Sequence, residues 1–257
     1  DAKFVGRVTS GAANGLLAKV YLTEKKWNEA MTTAGIVINS GQYQLYSSYD
    51  TLFRETGENC KESIFEVQAT ASAQTQTANG VQYAQIMGVR GSGIWDLGWG
   101  WNTPSTYLEA AYEANDPRKN RTILYMSTTT TTNQTIYGEN TPIYSPSGSP
   151  PNPRYNGKVY SNPAMRTSIG NRFGYWMNIR LLRYADVLLM YAEAANEVGN
   201  TTEALAKLEM IRARARRGAP AGTLPQITTT DQAMLRDAIR HERRIELAME
   251  HDRFFDL

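Results

Sequence analysis

The 257-residue sequence is short of the residues and motifs on which chemistry is usually built. It has one cysteine, Cys60, and two histidines, His241 and His251. A single cysteine excludes an internal disulfide. Both histidines lie near the end of the chain, far in sequence from Cys60, so a Cys–His catalytic pair is disfavoured and Cys60 reads as a half-buried structural residue. HExxH, Walker, GxSxG and dinucleotide-binding patterns are absent. Acids are too common for a carboxylate pair to signal glycoside hydrolysis, because the separation that defines such a pair is three-dimensional. No apolar run approaches the roughly 20 residues of a membrane span, and the start, DAKFVGRVTSGAAN, carries neither a signal-peptide nor a lipid-attachment pattern. Charge of one sign is also lacking. Twenty-seven Lys and Arg against 25 Asp and Glu leave a net charge of +2, which gives no nucleic-acid or membrane-surface signal. The arginines of 212–217 end a helical stretch, where the helix dipole favours cations.

What is present is an ordinary globular composition, 41% hydrophobic and 20% charged, in a chain long enough to bury a substantial core. Residues 8–39 read as a helical hairpin: 11–23 are rich in Ala and Leu, Glu24-Lys25-Lys26 turns the chain, 27–38 run back, and Gly41 is a stop signal. Ala18 and Ala30 are small residues of the kind that let crossing helices approach, with Tyr21 and Ala34 at the positions a tetratricopeptide hairpin would use. A shift of 174 residues superposes Ala18 on Ala192, Glu29 on Glu203 and Ala30 on Ala204. A second hairpin is therefore expected over 180–217, turning at Gly199-Asn200 with Thr201 or Thr202 as cap. Its first helix is apolar almost all round, so it should be buried on most sides, with Glu193 paired to an arginine. Two repeats are too few for a solenoid.

The last stretch, 231–257, predicts a long amphipathic helix with Leu235, Ala238, Ile239, Ile245, Ala248 and Met249 on its apolar stripe and Thr230 or Asp231 as cap. Its oddity is the row Glu242, Glu246, Glu250. Like charges four residues apart on a helix repel, so cations from elsewhere should face the row. Arg180, Arg183 and the arginines Arg212, Arg214, Arg216 and Arg217 are the expected partners. A metal site is the alternative, disfavoured because no histidine stands at ligand spacing in the row.

Between the hairpins, 42–178 differ in kind. A short strand is expected over 63–68 and a helix over 105–114, with a threonine-rich run at 127–135 and a loop at 145–153. Irregular insertions on a rigid scaffold are common carriers of binding function. Three of the five tryptophans fall in 95–101. If that segment is extended, Trp95, Leu97, Trp99 and Trp101 share one face and Gly98 and Gly100 leave the other bare. Flat indoles suit sugar rings, with Arg90, Asp96 and Asn102 near enough to bind hydroxyls. The competing expectation is that the indoles only roof the helical core.

Residues 178–196, NIRLLRYADVLLMYAEAAN, resemble the hallmark helix of the SusD/RagB family of Bacteroidetes outer-membrane lipoproteins. RHERRIELAMEHDRFFDL, 240–257, resembles its second hallmark, while GWGWNTP at 98–104 and NDPR at 115–118 match weaker family patterns. Residues 6–21 resemble the start of an internal family helix, and the likeness covers nearly the whole chain. It implies a mainly α fold: a single SusD-like domain in which 8–40 and 180–257 form a scaffold of tetratricopeptide-like hairpins. The segment 42–178 would be a loop-rich, ligand-facing insertion with short helices and little strand. It also implies a surface-exposed lipoprotein of the outer membrane, serving polysaccharide utilisation without catalysis. Such a protein captures a glycan and delivers it to a SusC-type TonB-dependent transporter. No cofactor, catalytic residue, metal or nucleic-acid partner is implied. The likeness starts and stops inside the family pattern, so the chain is expected to be an internal piece of a longer protein, the lipid-bearing cysteine lying outside it. A helical-repeat adaptor that binds only protein is the second reading, and a glycoside hydrolase a disfavoured third.

Overall fold

In the computed structural model, residues 5–70, 81–128 and 134–256 are described. Helix α1 (Ser10–Thr23), capped by the Thr9 hydroxyl, turns through Lys25 at φ 57° into α2 (Trp27–Asn39). The chain then runs through α3 (Tyr49–Leu52), β1 (Ser63–Val67), α4 (Tyr83–Met87), α5 (Thr106–Ala111) and α6 (Lys119–Thr122). Short strands β2 (Ile123–Tyr125), β3 (Thr135–Ile136), β4 (Glu139–Asn140) and β5 (Arg154–Asn156) precede α7 (Pro163–Ile169) and β6 (Ile179–Arg183). The chain ends in α8 (Tyr184–Glu197), α9 (Thr201–Ala215) and α10 (Gln232–Glu246). The fold is mainly α, with tetratricopeptide-like hairpins and little strand.

Helix α2 packs on α8, so the two hairpins are neighbours in space despite the long segment between them, and α10 closes over α8. Their shared core contains Ala18, Ala34, Leu188, Leu189, Ala192, Ala204, Leu208, Leu235 and Ile239. The alanines expected at the crossings, Ala18, Ala30, Ala192 and Ala204, are all fully buried, as close helix contact requires. The ribbon β1–β6 stitches the intervening segment to the scaffold, pairing Ser63 with Arg183 and Val67 with Ile179.

Local details depart from expectation. Residues 180–183 are strand, so the second hairpin begins at Tyr184. Asn200, whose side chain accepts from the Glu203 amide, caps α9 in place of Thr201 or Thr202. Asp231 caps α10, but the helix stops at Glu246, and Met249 has a left-handed φ of 65°. Ala248 and Met249 therefore lie beyond the helix, and Glu250 reaches the carboxylate row from a turn. Of the threonine-rich run, 129–133 lie outside the described residues.

All three carboxylates of the row are buried among cations. Glu242 meets Arg118 and Arg212 (3.0 Å for the latter), and Glu246 meets Arg118 (3.0 Å), Arg183 (2.6 Å) and Arg214. Glu250 meets Arg183 (2.8 Å) and Lys158 (2.7 Å). Glu62 binds Arg183 and Arg214 from the other side. Three expected partners are elsewhere: Arg180 faces Glu66 at 3.4 Å, Arg216 pairs with Glu209, and Arg217 is exposed. Arg118 and Lys158 replace them, contributed by the segment between the hairpins. Burial would raise the Glu246 carboxyl, but Arg214, Arg183 and Arg118 outweigh it and hold it far below the usual carboxylate range. Burial pushes the Lys158 ammonium down to about 8 despite Glu250. Glu193 is paired with Arg240 at 2.9 Å. Among the described residues no helix is long and apolar enough to cross a membrane.

Candidate functional site: an outward-facing tryptophan ledge

The tryptophan segment is not one extended face. Residues Gly93–Trp95 form a 3-10 turn, and Arg90 and Asp96 pair as an antiparallel bridge across the loop. The chain beyond it hangs on the carbonyls at the end of α4. The Leu97 amide donates to Val89 O (2.9 Å), Trp99 to Gln85 O (2.8 Å), Gly100 to Gly88 O (3.0 Å) and Trp101 to Ile86 O (3.0 Å). Carbonyls left open where a helix ends are thereby satisfied. Such an approach needs glycine. A Cβ on Gly98 would sit 2.1 Å from Gln85 O, and Gly100 has φ 68° with Arg90 Cβ 2.9 Å from where its own Cβ would be. The glycines thus serve backbone docking; they do not bare a surface.

This docking sorts the indoles. Trp95 and Leu97 turn inward to a small core with Val89, Leu124, Met126, Tyr155 and Tyr160, separate from the helical core. The Trp95 ring packs against Tyr160 at 5.5 Å. Trp99 and Trp101 turn outward, 41% and 62% exposed, with ring centroids 5.3 Å apart at an interplanar angle of 54°. Trp95 is therefore removed from the expected ligand face, while Trp99 and Trp101 stand on it together. The sharing of one face by Trp95, Leu97, Trp99 and Trp101 does not hold: the change comes between Leu97 and Trp99, where Gly98 packs on the Gln85 carbonyl and the Trp99 amide donates to it.

The polar residues divide in the same way. Arg90 is exposed and roots beside Gly100, between the two outward indoles in sequence. Asn102 is exposed at φ 51°, with its amide donating to Met87 Sδ at 3.5 Å. It also lines an open hollow of about 390 Å³ that extends to Leu108, Arg244 and His251. Asp96 is ion-paired with Arg172, which leaves it less free to bind hydroxyls than its sequence position suggested. Two anchors escaped the sequence reading. Arg172 and Arg166 tie the loop to the segment around α7, Arg166 donating to Ile94 O (3.1 Å) and pairing with Glu139 (2.8 Å). Neither has a local sequence signal, because each acts on a segment some 70 residues away. The result is a rigid aromatic ledge flanked by a guanidinium and an amide, an arrangement that can stack on a flat ligand face and bind its polar rim.

Comparison with known proteins bears on this arrangement. A SusD family model matches residues 40–257. SusD-like protein P2 of Formosa agariphila is 28% identical over 266 residues, covering 100% of this chain and 52% of that protein. A SusD-like carbohydrate-binding protein of Bacteroides fragilis has the same fold at TM-score 0.78 and 24% identity, covering 100% of this chain and 53% of its own. So does surface glycan-binding protein A of Bacteroides thetaiotaomicron, solved with laminarihexaose, at TM-score 0.72 and 23% identity over 100% of this chain and 56% of that one. The chain spans about half the length of the relatives it matches. With the hallmark helix α8 buried in the scaffold and the second hallmark supplying the buried carboxylate row, this chain belongs to the SusD family.

Proposed function

We propose that this chain is part of a non-catalytic glycan-capture protein whose ligand stacks on Trp99 and Trp101, with Arg90 and Asn102 binding hydroxyls at the rim. The observation that carries this reading is the outward pair of indoles on a ledge fixed by four backbone hydrogen bonds. Solvent exposure of two adjacent tryptophans is costly in apolar area, and such patches mark binding sites. Family membership and a related protein's complex with laminarihexaose support a saccharide as the occupant. The whole protein would sit as a lipoprotein at the outer-membrane surface and pass its glycan to a SusC-type transporter. The segment 42–178 would then be the ligand-facing part and the hairpins the scaffold.

Titration of the full-length protein against a panel of oligosaccharides that includes laminarihexaose tests the reading. Trp99→Ala and Trp101→Ala should each weaken binding about tenfold or more, the scale of a tryptophan hot spot. Their melting temperatures should stay near wild type, whereas Trp95→Ala should destabilise by about 3–5 kcal/mol. Absence of affinity across the panel would refute it. The adaptor reading draws on a different observation, the exposed Leu16, Leu17 and Val20 of α1. It requires sugar-independent co-purification with the transporter and tryptophan changes that unfold the protein.

A further inference from the structure

A cleft of about 540 Å³, away from the tryptophan ledge, lies between α3, α6 and the β3–β4 hairpin. That volume is within the range of small-molecule sites. Its charged lining is balanced, Asp50 and Glu55 against Arg54 and Arg121, and the charges are already satisfied within the protein. Arg54 pairs with Asp50 at 3.1 Å, Arg121 with Asp50 at 3.5 Å, and Glu55 accepts from the Trp176 indole at 3.0 Å. The rest of the wall mixes amides and hydroxyls with apolar groups, Asn120, Gln134 and Thr135 beside Leu124 and Ile136. Such a lining disfavours both a strongly charged ligand and an apolar one.

One aromatic ring stands at the lip. Tyr137 is 43% exposed and occupies the first turn position of the β3–β4 hairpin, followed by Gly138. Both have left-handed φ, 50° and 77°. That is the combination of a type I′ hairpin turn, for which Asn-Gly is the favoured pair and a bulky aromatic residue is strained. The ring is held in place nonetheless. It stacks on Tyr160 at 6.2 Å and 22°, and the Arg54 guanidinium lies 5.5 Å from its centroid. Strained residues held rigidly by their surroundings concentrate at ligand sites.

We propose that this cleft is a second saccharide-binding site, for an uncharged oligosaccharide, with Tyr137 as its aromatic contact. Tyr160 contacts both Tyr137 and Trp95, so the site and the tryptophan ledge share a support while presenting separate surfaces.

The test uses the full-length protein with neutral hexasaccharides of glucose, xylose and mannose as probes, and a hexagalacturonate as the charged comparison. The Trp99→Ala/Trp101→Ala double variant should retain a weaker binding isotherm for a neutral hexasaccharide. Adding Tyr137→Asn should weaken that residual binding at least tenfold. Asn suits the left-handed position, so this variant should melt at or above the temperature of its parent, which separates loss of the ring from loss of the fold. Residual binding unchanged by Tyr137→Asn would overturn the proposal. So would a double variant with no residual binding, or residual binding that prefers the hexagalacturonate.

Discussion

Replacing Glu246 by glutamine should unsettle the whole scaffold, because that one carboxylate neutralises parts of three buried guanidiniums. Arg118, Arg183 and Arg214 all contact it, and each is nearly inaccessible to solvent. Glutamine keeps the volume, so no cavity opens, but it removes the charge and gives the cations an amide that can accept from only one side. Removing one partner of a buried ion pair costs about 3–5 kcal/mol, because the remaining charge stays desolvated. The isosteric change should fall near the low end, about 3 kcal/mol. For a chain of this size that lowers the melting temperature by roughly 6–12 °C. Urea unfolding followed by circular dichroism at pH 7 would read it as a lower midpoint at unchanged slope. Glu203→Gln is the control: its partner Lys207 is at 3.0 Å on a half-exposed helix face, and i,i+4 pairs of this kind contribute about 0.3–0.5 kcal/mol. The acid limb carries the same reasoning. The folded-state Glu246 carboxyl lies well below its unfolded value, so its contribution is complete above about pH 4.3 and is lost as pH falls toward the folded value. The variant should therefore lose less stability than wild type on acidification. A Glu246→Gln protein within about 1 kcal/mol of wild type at pH 7 would refute the ionic account of the row.

Gly98→Ala should displace the tryptophan ledge and leave the scaffold intact. Its Cβ would meet the Gln85 carbonyl, a backbone atom that cannot swing away, so the ledge must shift and oligosaccharide affinity should drop about tenfold or more by titration. Glu58 gives a prediction of opposite pH sign to Glu246. Burial, partly offset by the Asn178 amide, raises its carboxyl to about 7. Its contribution is full below the unfolded value near 4.3 and is lost as pH rises through about 7. Glu58→Gln should thus stabilise the protein relative to wild type at pH 8 by on the order of 1 kcal/mol and show no such gain at pH 4, measured by thermal melts at both values.

Much of the scaffold is legible in local pattern, because helical periodicity and small residues at crossings report directly which side of a helix is buried. The hairpin alanines, the near-total burial of α8 and the pairing of Glu193 are of this kind. So was the demand of the carboxylate row for cations, since repulsion between Glu242 and Glu246 follows from their spacing on one helix face. Arg183, Arg212 and Arg214 answer that demand. Family membership was likewise carried by contiguous residues in the two hallmark stretches.

Tertiary structure decided which distant groups meet. Arg118 and Lys158 reach the carboxylate row from the intervening segment, and no sequence window spans that separation. The end of α10 at Glu246 was hidden because Ala248 and Met249 continue the apolar stripe, while a left-handed φ at Met249 ends the periodicity. The orientation of the tryptophans was hidden for a related reason. Alternation assigns faces only to an extended chain, and here docking on the end of α4 does the sorting. The glycines between the indoles signalled a special backbone, but whether they bare a surface or admit a close contact depends on what lies opposite. Local pattern carried the scaffold and the family; which indoles face outward depended on the backbone at the end of α4, to which they are docked.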